Sequence, residues 1–131
     1  MIGLDTNVLV RYLTYDEPHQ AAKAAREIET ATERGEHMFL ANIVLCELVW
    51  VLEDAYGYKR KDLIAILEKI LRTSQFAFED KDVIWRALRD FQTSKGDFSD
   101  YLIGRTNQKG GCSQTLTFDR ELKNDDIFRV F

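Results

Sequence analysis

The amino-acid sequence predicts an α/β fold, with a central, mostly parallel sheet and helices on both of its faces. Short apolar runs of strand length alternate with longer segments of helical periodicity along the whole chain. This alternation is typical of parallel strands joined by helical crossovers. The 131 residues suit one hydrophobic core and leave no room for a second, so residues 1–131 are expected to form a single domain. The composition, 45% hydrophobic and 31% charged, is that of a globular protein.

The elements follow one another in a regular order. The first half is predicted to contain a short buried strand over residues 1–4, helix 6–13, an Ala-rich helix within 17–34, strand 38–41 and a helix that ends near Tyr56-Gly57. The second half is predicted to contain helix 61–72, strand 76–78, helix 82–93, a helix that ends near Lys109, strand 113–118, a turn or short helix from Asp119, and strand 127–130. No repeat, linker or low-complexity segment interrupts this order.

Four carboxylates lie at the ends of apolar segments or inside them: Asp5, Glu47, Asp100 and Asp119. Glu47 is the most unusual, because every other residue between Ile43 and Leu52 is apolar. A helix with this composition has no polar face, so the Glu47 carboxylate is expected to meet protein or the wall of a pocket. Such a group needs a partner, since removing an ion from water is costly. The alternatives to a functional role are a pair with Lys or Arg, or a position at the helix end.

Asp5 and Asp119 each follow a predicted strand. In open α/β sheets, ligands bind at the carboxyl ends of the strands. The alternative for either Asp is helix N-capping, since Asp readily accepts the first free helical N–H groups. If their two strands are neighbours, both carboxylates would lie at one edge of the sheet.

Asp100 belongs to the segment Asp97-Phe98-Ser99-Asp100, which opens a helix. The alternative here is a capping box, with Asp97 as N-cap and Asp100 reaching back to it. If Asp97 alone supplies the cap, Asp100 remains free to face inward beside Phe98 and Leu102.

Converging carboxylates favour a bound cation. Two ionised carboxylates within a few Å repel each other by roughly 4 kcal/mol at an effective dielectric constant of about 20. Cys46, Cys112, His19 and His37 show no metal-type spacing, so zinc is disfavoured and a hard cation with oxygen ligands is expected.

The bulk properties set limits on partners and compartment. A net charge of −4 argues against coating nucleic acid by overall attraction, but not against a nuclease, because an acidic site supplies much of that charge. Local basic residues are candidates for a rim that follows phosphates, or for ordinary helix surface: Arg11, Lys59-Arg60-Lys61, Arg86, Arg89, Arg105 and Lys109. The sequence shows neither a targeting segment nor an apolar stretch of membrane-spanning length. Two isolated cysteines are expected to be reduced thiols in the cytoplasm.

Four segments together resemble the PIN-domain family, and within it the VapC toxin ribonucleases of toxin–antitoxin pairs. These segments are residues 2–10, the apolar helix around Glu47, residues 97–103 and residues 115–120. Each segment is a weak signal alone, but their order and spacing match the family over essentially the whole chain. Asn42 departs from the pattern, because a hydroxyl residue is expected just before the Glu47 helix.

The resemblance implies a three-layer α/β/α fold and an acidic pocket that binds Mg²⁺ or Mn²⁺ for hydrolysis of phosphodiester bonds. It implies that Asp5, Asp100 and Asp119 are metal ligands, and that Glu47 is a ligand or orients the attacking water. Thr6, Asn7 and Thr117 are either contacts to ligand waters or local hydrogen bonders, and Asp97 is an additional candidate.

The family also implies an RNA substrate, a homodimer and a small VapB-type antitoxin. Residues 48–52 and the helices through Leu71 are expected to offer a groove for a partner helix.

Two other classes of protein compete with this interpretation. Haloacid-dehalogenase-like phosphatases need a second Asp two residues after the first, where this chain has Asn7, and a phospho-receiver domain needs paired acids near its first strand. A non-catalytic metal- or partner-binding PIN-like module is the remaining alternative. It would have to have lost activity with all four acids still present.

Overall fold

The computed structural model describes residues 1–131 as two compact units, Met1–Glu79 and Asp80–Phe131. The first unit contains three strands and four helices: β1 (Ile2–Gly3), α1 (Thr6–Thr14), α2 (Pro18–Glu33), β2 (Met38–Leu40), α3 (Asn42–Tyr56), α4 (Arg60–Leu71) and β3 (Phe76–Phe78). The second contains α5 (Lys81–Thr93), α6 (Phe98–Lys109), β4 (Thr115–Thr117), a 3₁₀ helix (Arg120–Leu122) and β5 (Phe128–Val130).

The three strands of the first unit form a parallel sheet in the order β1-β2-β3. Gly3 pairs with Phe39, and Leu40 pairs with Phe78. Residues that follow β1, β2 and β3 therefore lie at the same edge of this sheet. The predicted buried strand over residues 1–4 is wrong in length and burial: β1 has two residues and Ile2 is exposed, because β1 is an end strand of this sheet.

The helices of the first unit begin and end at recognisable signals. Pro18 starts α2, and the Glu17 carboxylate accepts hydrogen bonds from the His19 and Gln20 N–H groups at 3.3 and 2.7 Å. α3 ends at Gly57, whose φ of 67° is a left-handed conformation that glycine adopts without steric cost.

The core of the first unit contains the leucines that were predicted to line a partner groove. Leu48, Leu52 and Leu71 are each at most 1% exposed. These leucines therefore cannot line the predicted groove, because they stabilise the unit itself and are closed to a partner. Ile43 and Trp50 of the same helix are exposed instead.

In the second unit, α5 packs on α6 and a two-stranded parallel sheet packs against α6. Phe91 and Phe98 meet edge to face, and Arg105 binds both carboxylate oxygens of Asp90 at 2.7 and 2.9 Å. Gly104 of α6 allows Phe128 of β5 to approach, because a Cβ at this position would lie 2.7 Å from the Phe128 ring. A larger residue at position 104 would push β5 away from α6.

The predicted α/β class with parallel strands is confirmed, since every strand pair in the structure is parallel. Helix limits agree with the predictions within one or two residues. The strand predicted over residues 76–78 matches β3, whereas the other four strands are shorter than predicted. No helix combines the length and the apolar character that crossing a membrane requires.

Candidate metal-binding acids

Asp5 follows β1 and occupies the N-cap position of α1, yet its side chain makes no capping hydrogen bond. The residue is exposed and its backbone is extended, with φ −80° and ψ 158°. The N-capping alternative for Asp5 is therefore wrong. Both carboxylate oxygens remain available to a ligand.

Glu47 lies on α3 and is held by a residue of α1. The hydroxyl group of Thr6, which is only 6% exposed, donates to Glu47 Oε1 at 3.0 Å. This contact identifies the partner of Glu47 as a hydroxyl group rather than a Lys or Arg. The same pair gives Thr6 a defined role, that of fixing one oxygen of Glu47.

The expectation that α3 has no solvent-facing side is wrong, because Glu47 lies on an exposed face of this helix. Its buried residues cluster on one side of the helix, and they are Val44, Leu45, Leu48, Val49 and Leu52. Ile43, Glu47 and Trp50 are spaced by about one helical turn on the opposite side, and all three are exposed. Although α3 is mostly apolar, it therefore has a solvent-facing stripe with Glu47 at its centre.

The start of α3 depends on Glu79, an acid that was not predicted to have a role. Its N-cap residue, Ala41, has no side chain to bind the first N–H groups, and Glu79 Oε2 accepts the Asn42 N–H at 2.6 Å. Glu79 follows β3 as Asp5 follows β1, so the rule that singled out Asp5 could have found it. Asn42 occupies the position where a hydroxyl residue was expected, and its buried side-chain oxygen has no hydrogen-bond partner.

Asp100 is anchored in the second unit by the backbone of Asp97. The Asp97 N–H donates to Asp100 Oδ2 at 3.0 Å, which is one half of a capping box. The reciprocal contact from the Asp97 side chain is looser and is not a regular cap hydrogen bond. The capping-box alternative is therefore the arrangement at the start of α6, and Asp100 takes part in the cap instead of remaining free of it.

Asp119 lies close enough to Asp100 to affect its ionisation. Burial raises the pKa of Asp100, the hydrogen bond from the Asp97 N–H opposes the rise, and the negative charges of Asp97 and Asp119 add to it. Asp119 Oδ1 accepts the Glu121 N–H at 2.9 Å and so caps the 3₁₀ helix. The Asp119 N–H in turn donates to the Thr117 hydroxyl at 3.1 Å, which gives Thr117 a local role.

The remaining predicted residues fall outside these contacts. Asn7 is exposed on α1. Three of the basic residues proposed for a phosphate-tracking rim form ion pairs within their own units: Arg11 with Asp16, Arg105 with Asp90 and Lys109 with Asp80. These pairs favour the ordinary-surface interpretation for those three. Cys46 and Cys112 are free thiols.

The donor chemistry fits a hard divalent cation, although neither unit gathers three or more Asp, Glu, His or Cys side chains into a cluster that could hold one. All the candidate ligands are carboxylates, the donors that Mg²⁺ and Mn²⁺ prefer. A cation would also relieve the repulsion that Asp119 exerts on Asp100.

Comparison with known proteins identifies the family. The sequence model of the PIN domain matches residues 2–126, and the chain therefore belongs to the PIN-domain family. Helices with parallel strands are consistent with the three-layer α/β/α fold of this family. The chain is 31% identical over 120 residues to a VapC ribonuclease of Aquifex aeolicus (strain VF5), a match that covers 92% of this chain and 88% of that protein. The predicted resemblance to VapC-type PIN proteins is confirmed.

Proposed function

We propose that this protein is an endoribonuclease toxin that hydrolyses RNA phosphodiester bonds with a divalent metal and is neutralised by a cognate VapB-type antitoxin. The observation that carries the proposal is the similarity to a VapC ribonuclease over 92% of the chain. The four acids that match the family pattern, Asp5, Glu47, Asp100 and Asp119, are all present. A decayed site, the alternative, would have to have lost its activity with all four acids still present.

Asp5, Asp100 and Asp119 are the proposed ligands of Mg²⁺ or Mn²⁺, and Glu47 is a ligand or the group that orients the attacking water. When bound, such an ion lowers the pKa of a coordinated water and neutralises charge on the phosphate oxygens. In three of these four acids, a hydrogen bond holds one carboxylate oxygen. Thr6 holds Glu47 Oε1, the Asp97 N–H holds Asp100 Oδ2, and the Glu121 N–H holds Asp119 Oδ1.

One oxygen of each anchored carboxylate is therefore fixed, and the other is left to accept a proton or bind a cation. Anchoring restricts side-chain rotation before the ligand arrives, so less conformational freedom is lost on binding. For Glu47, the unanchored oxygen is Oε2. This oxygen is the proposed acceptor for a proton of the attacking water, a step that needs it within hydrogen-bond reach of that water.

A cleft in the first unit is the proposed binding site for the antitoxin. It replaces the surface around the α3 leucines, which are buried. Its volume is about 680 Å³, and residues of α1, α2 and α4 line it. Tyr12, Leu13 and Ile28 supply apolar and aromatic surface, while Glu29 and Lys69 supply charge. An elongated partner helix with an apolar face suits a surface of this kind. The homodimer is carried over from the family, and the cytoplasm is the proposed compartment, where both free thiols would remain reduced.

An RNA-cleavage assay on purified protein tests the proposed function. We expect cleavage with Mg²⁺ or Mn²⁺, no cleavage in excess chelator, and recovery when metal is restored. Glu47→Gln is the matched variant, because it keeps the size of the side chain and an oxygen for the Thr6 hydroxyl while it removes the charge. A folded wild-type protein that cleaves no RNA with either metal would favour the alternative, a non-catalytic metal- or partner-binding module.

A further inference from the structure

One face of the β4–β5 sheet is exposed although it consists mainly of large apolar residues. In the parallel register Leu116 pairs with Arg129 and Thr117 pairs with Val130, so Phe118 and Phe131 continue the same ladder. Because side chains alternate along a strand, Leu116, Phe118, Arg129 and Phe131 share one side of the sheet, which we name the aromatic face. Leu116 is 53% exposed, Phe118 78% and Phe131 66%.

The opposite side of the same sheet is covered. Phe128 is buried, its ring meets Tyr101 of α6 edge to face with 6.2 Å between centroids, and Gly104 makes room for it. The sheet therefore already has the packed face that its stability requires. The aromatic face is an additional surface with no packing partner in its own unit.

The two phenylalanines of this face form a flat platform. Their ring centroids are 4.5 Å apart and the ring planes differ by 21°, which is a stacked arrangement. Exposed rings in this orientation offer a flat apolar surface to a further planar group. Arg129 lies on the same side, is exposed and is in no ion pair, so it supplies a positive charge beside the rings.

The size and the charge of the aromatic face favour a nucleic-acid base over a protein. Its three exposed apolar side chains offer at most a few hundred Å², well short of the roughly 800 Å² that each partner contributes to a stable protein interface. One or two unpaired bases need far less area. Proteins that bind single strands combine such stacking platforms with cations that contact the phosphates.

We propose that the aromatic face is a binding subsite for an unpaired base of the RNA substrate, with Phe118 and Phe131 stacking on the base and Arg129 contacting a phosphate. The inference rests on the proposed function and extends it to the recognition of the substrate. Phe118 immediately precedes Asp119, so a base held on this face would keep the RNA strand close to one of the proposed metal ligands.

Binding of short fluorescent single-stranded RNA in chelator tests the subsite without cleavage. The wild type is compared with Phe118→Leu and Phe131→Leu, which keep an apolar side chain but remove the ring. We expect each to bind roughly 5- to 150-fold more weakly, the range that corresponds to the loss of one stacked aromatic ring. Phe118→Tyr keeps a ring and should bind like the wild type. Ile103→Ala, an exposed apolar position on α6, is the matched control and should also bind like the wild type.

Two further comparisons separate stacking from charge. The wild type should prefer a base-bearing oligomer to an abasic ribose–phosphate oligomer of equal length, and Phe118→Leu should lose that preference. Arg129→Gln should reduce the slope of log affinity against log salt by about 0.7, the contribution of one phosphate contact to a single strand.

Several outcomes would overturn the inference. They are wild-type affinity in both leucine variants, equal losses in Phe118→Leu and Phe118→Tyr, or no preference of the wild type for base-bearing RNA. Sedimentation would reveal a protein interface instead, if Phe118→Leu changed self-association and left RNA affinity unchanged.

A parallel cleavage assay with Mg²⁺ distinguishes the subsite from the proposed function. Cleavage by the wild type with unchanged affinity in the variants would refute the subsite alone, whereas no wild-type cleavage would refute the proposed function.

Discussion

The two units present their acids in different ways. In the first unit, Asp5 occupies an N-cap position without capping, and Glu47 is held by the hydroxyl group of Thr6. In the second unit, Asp100 and Asp119 each accept a backbone N–H at the start of a helix. The comparison shows that a proposed metal ligand can also serve as a structural cap. Removal of the Asp5 side chain should therefore separate activity from stability, whereas removal of the Asp100 or Asp119 side chain should reduce both.

The largest expected effect comes from removing one whole carboxylate in each unit. Asp5→Ala and Asp119→Ala should each reduce RNA cleavage by more than about 100-fold, since loss of outer-shell partners alone costs 10- to 100-fold. Asp5→Ala should leave the free energy of unfolding unchanged without metal, because its side chain caps nothing. Asp119→Ala should lower it by about 0.5–2 kcal/mol, because the cap on Glu121 is lost.

Cleavage rates and urea unfolding in chelator measure both quantities for this pair of variants. Equal loss of stability in the two variants would remove the contrast between the units. Full activity of Asp5→Ala would remove Asp5 from the proposed site.

A second prediction concerns the two oxygens of Asp100. Asp100→Ala should lose both activity and about 0.5–2 kcal/mol of stability, because the bond from the Asp97 N–H is lost. Asp100→Asn should keep most of the stability, since its amide oxygen can still accept that bond, while activity falls. Asp97→Ala should have the smaller effect on stability, because its side chain makes only the looser half of the capping box.

Thermal melts of these three variants, with and without Mg²⁺, provide the measurement. Stabilisation by added Mg²⁺ should shrink in both Asp100 variants and persist in Asp97→Ala. A normal response to Mg²⁺ in Asp100→Asn would assign Asp100 to capping alone.

A third, smaller effect is expected at Thr6. Thr6→Val removes the hydroxyl donor to Glu47 and should cost about 0.5–1.5 kcal/mol of stability, the net value of one hydrogen bond. It should lower kcat by roughly 10- to 100-fold with little change in KM, because Glu47 loses its orientation. Thr6→Ser is the control and should restore both. A Thr6→Val protein with normal kcat would show that the contact serves the fold only.

The smallest expected effect is the pH dependence of stability that Asp100 contributes. The pKa of Asp100 is raised above the usual 3.8, so the folded protein keeps the proton of Asp100 at pH values where the unfolded chain has lost it. This contribution to stability is complete below the unfolded pKa and is lost as the pH rises through the folded pKa. In chelator, the wild type should therefore lose stability relative to Asp100→Asn as the pH rises above 3.8. Urea midpoints across the acid range measure it, and parallel curves for the two proteins would contradict it.

Much of the fold could be predicted because its signals are local. Helical periodicity, Pro18 at a helix start and Gly57 at a helix end determined most helix limits within one or two residues. The parallel pairing followed from the alternation of strands and helices. The length of β1 could not be predicted, since hydrogen bonding at the end of a sheet depends on neighbouring strands and not on the apolar run itself.

The individual acids could be predicted from their positions at apolar segment ends, but their contacts could not. The Thr6–Glu47 bond joins residues 41 positions apart, and the Glu79–Asn42 bond joins residues 37 positions apart. Which side of α3 faces solvent is also a result of packing, because nearly every residue of its central run is apolar. The convergence of all four acids on one metal stays a prediction.

The bond from the Asn42 N–H to Glu79 affects the order in which the first unit folds. Ala41 offers no local cap, so the first turn of α3 gains its acceptor only when Glu79 arrives behind β3. Closing a loop of that length has an entropic cost that a local cap would avoid. We therefore expect the amino-terminal turn of α3 to be the last part of that helix to become protected from hydrogen exchange during refolding. The helix that carries Glu47 would then reach its final geometry only after the third strand has docked.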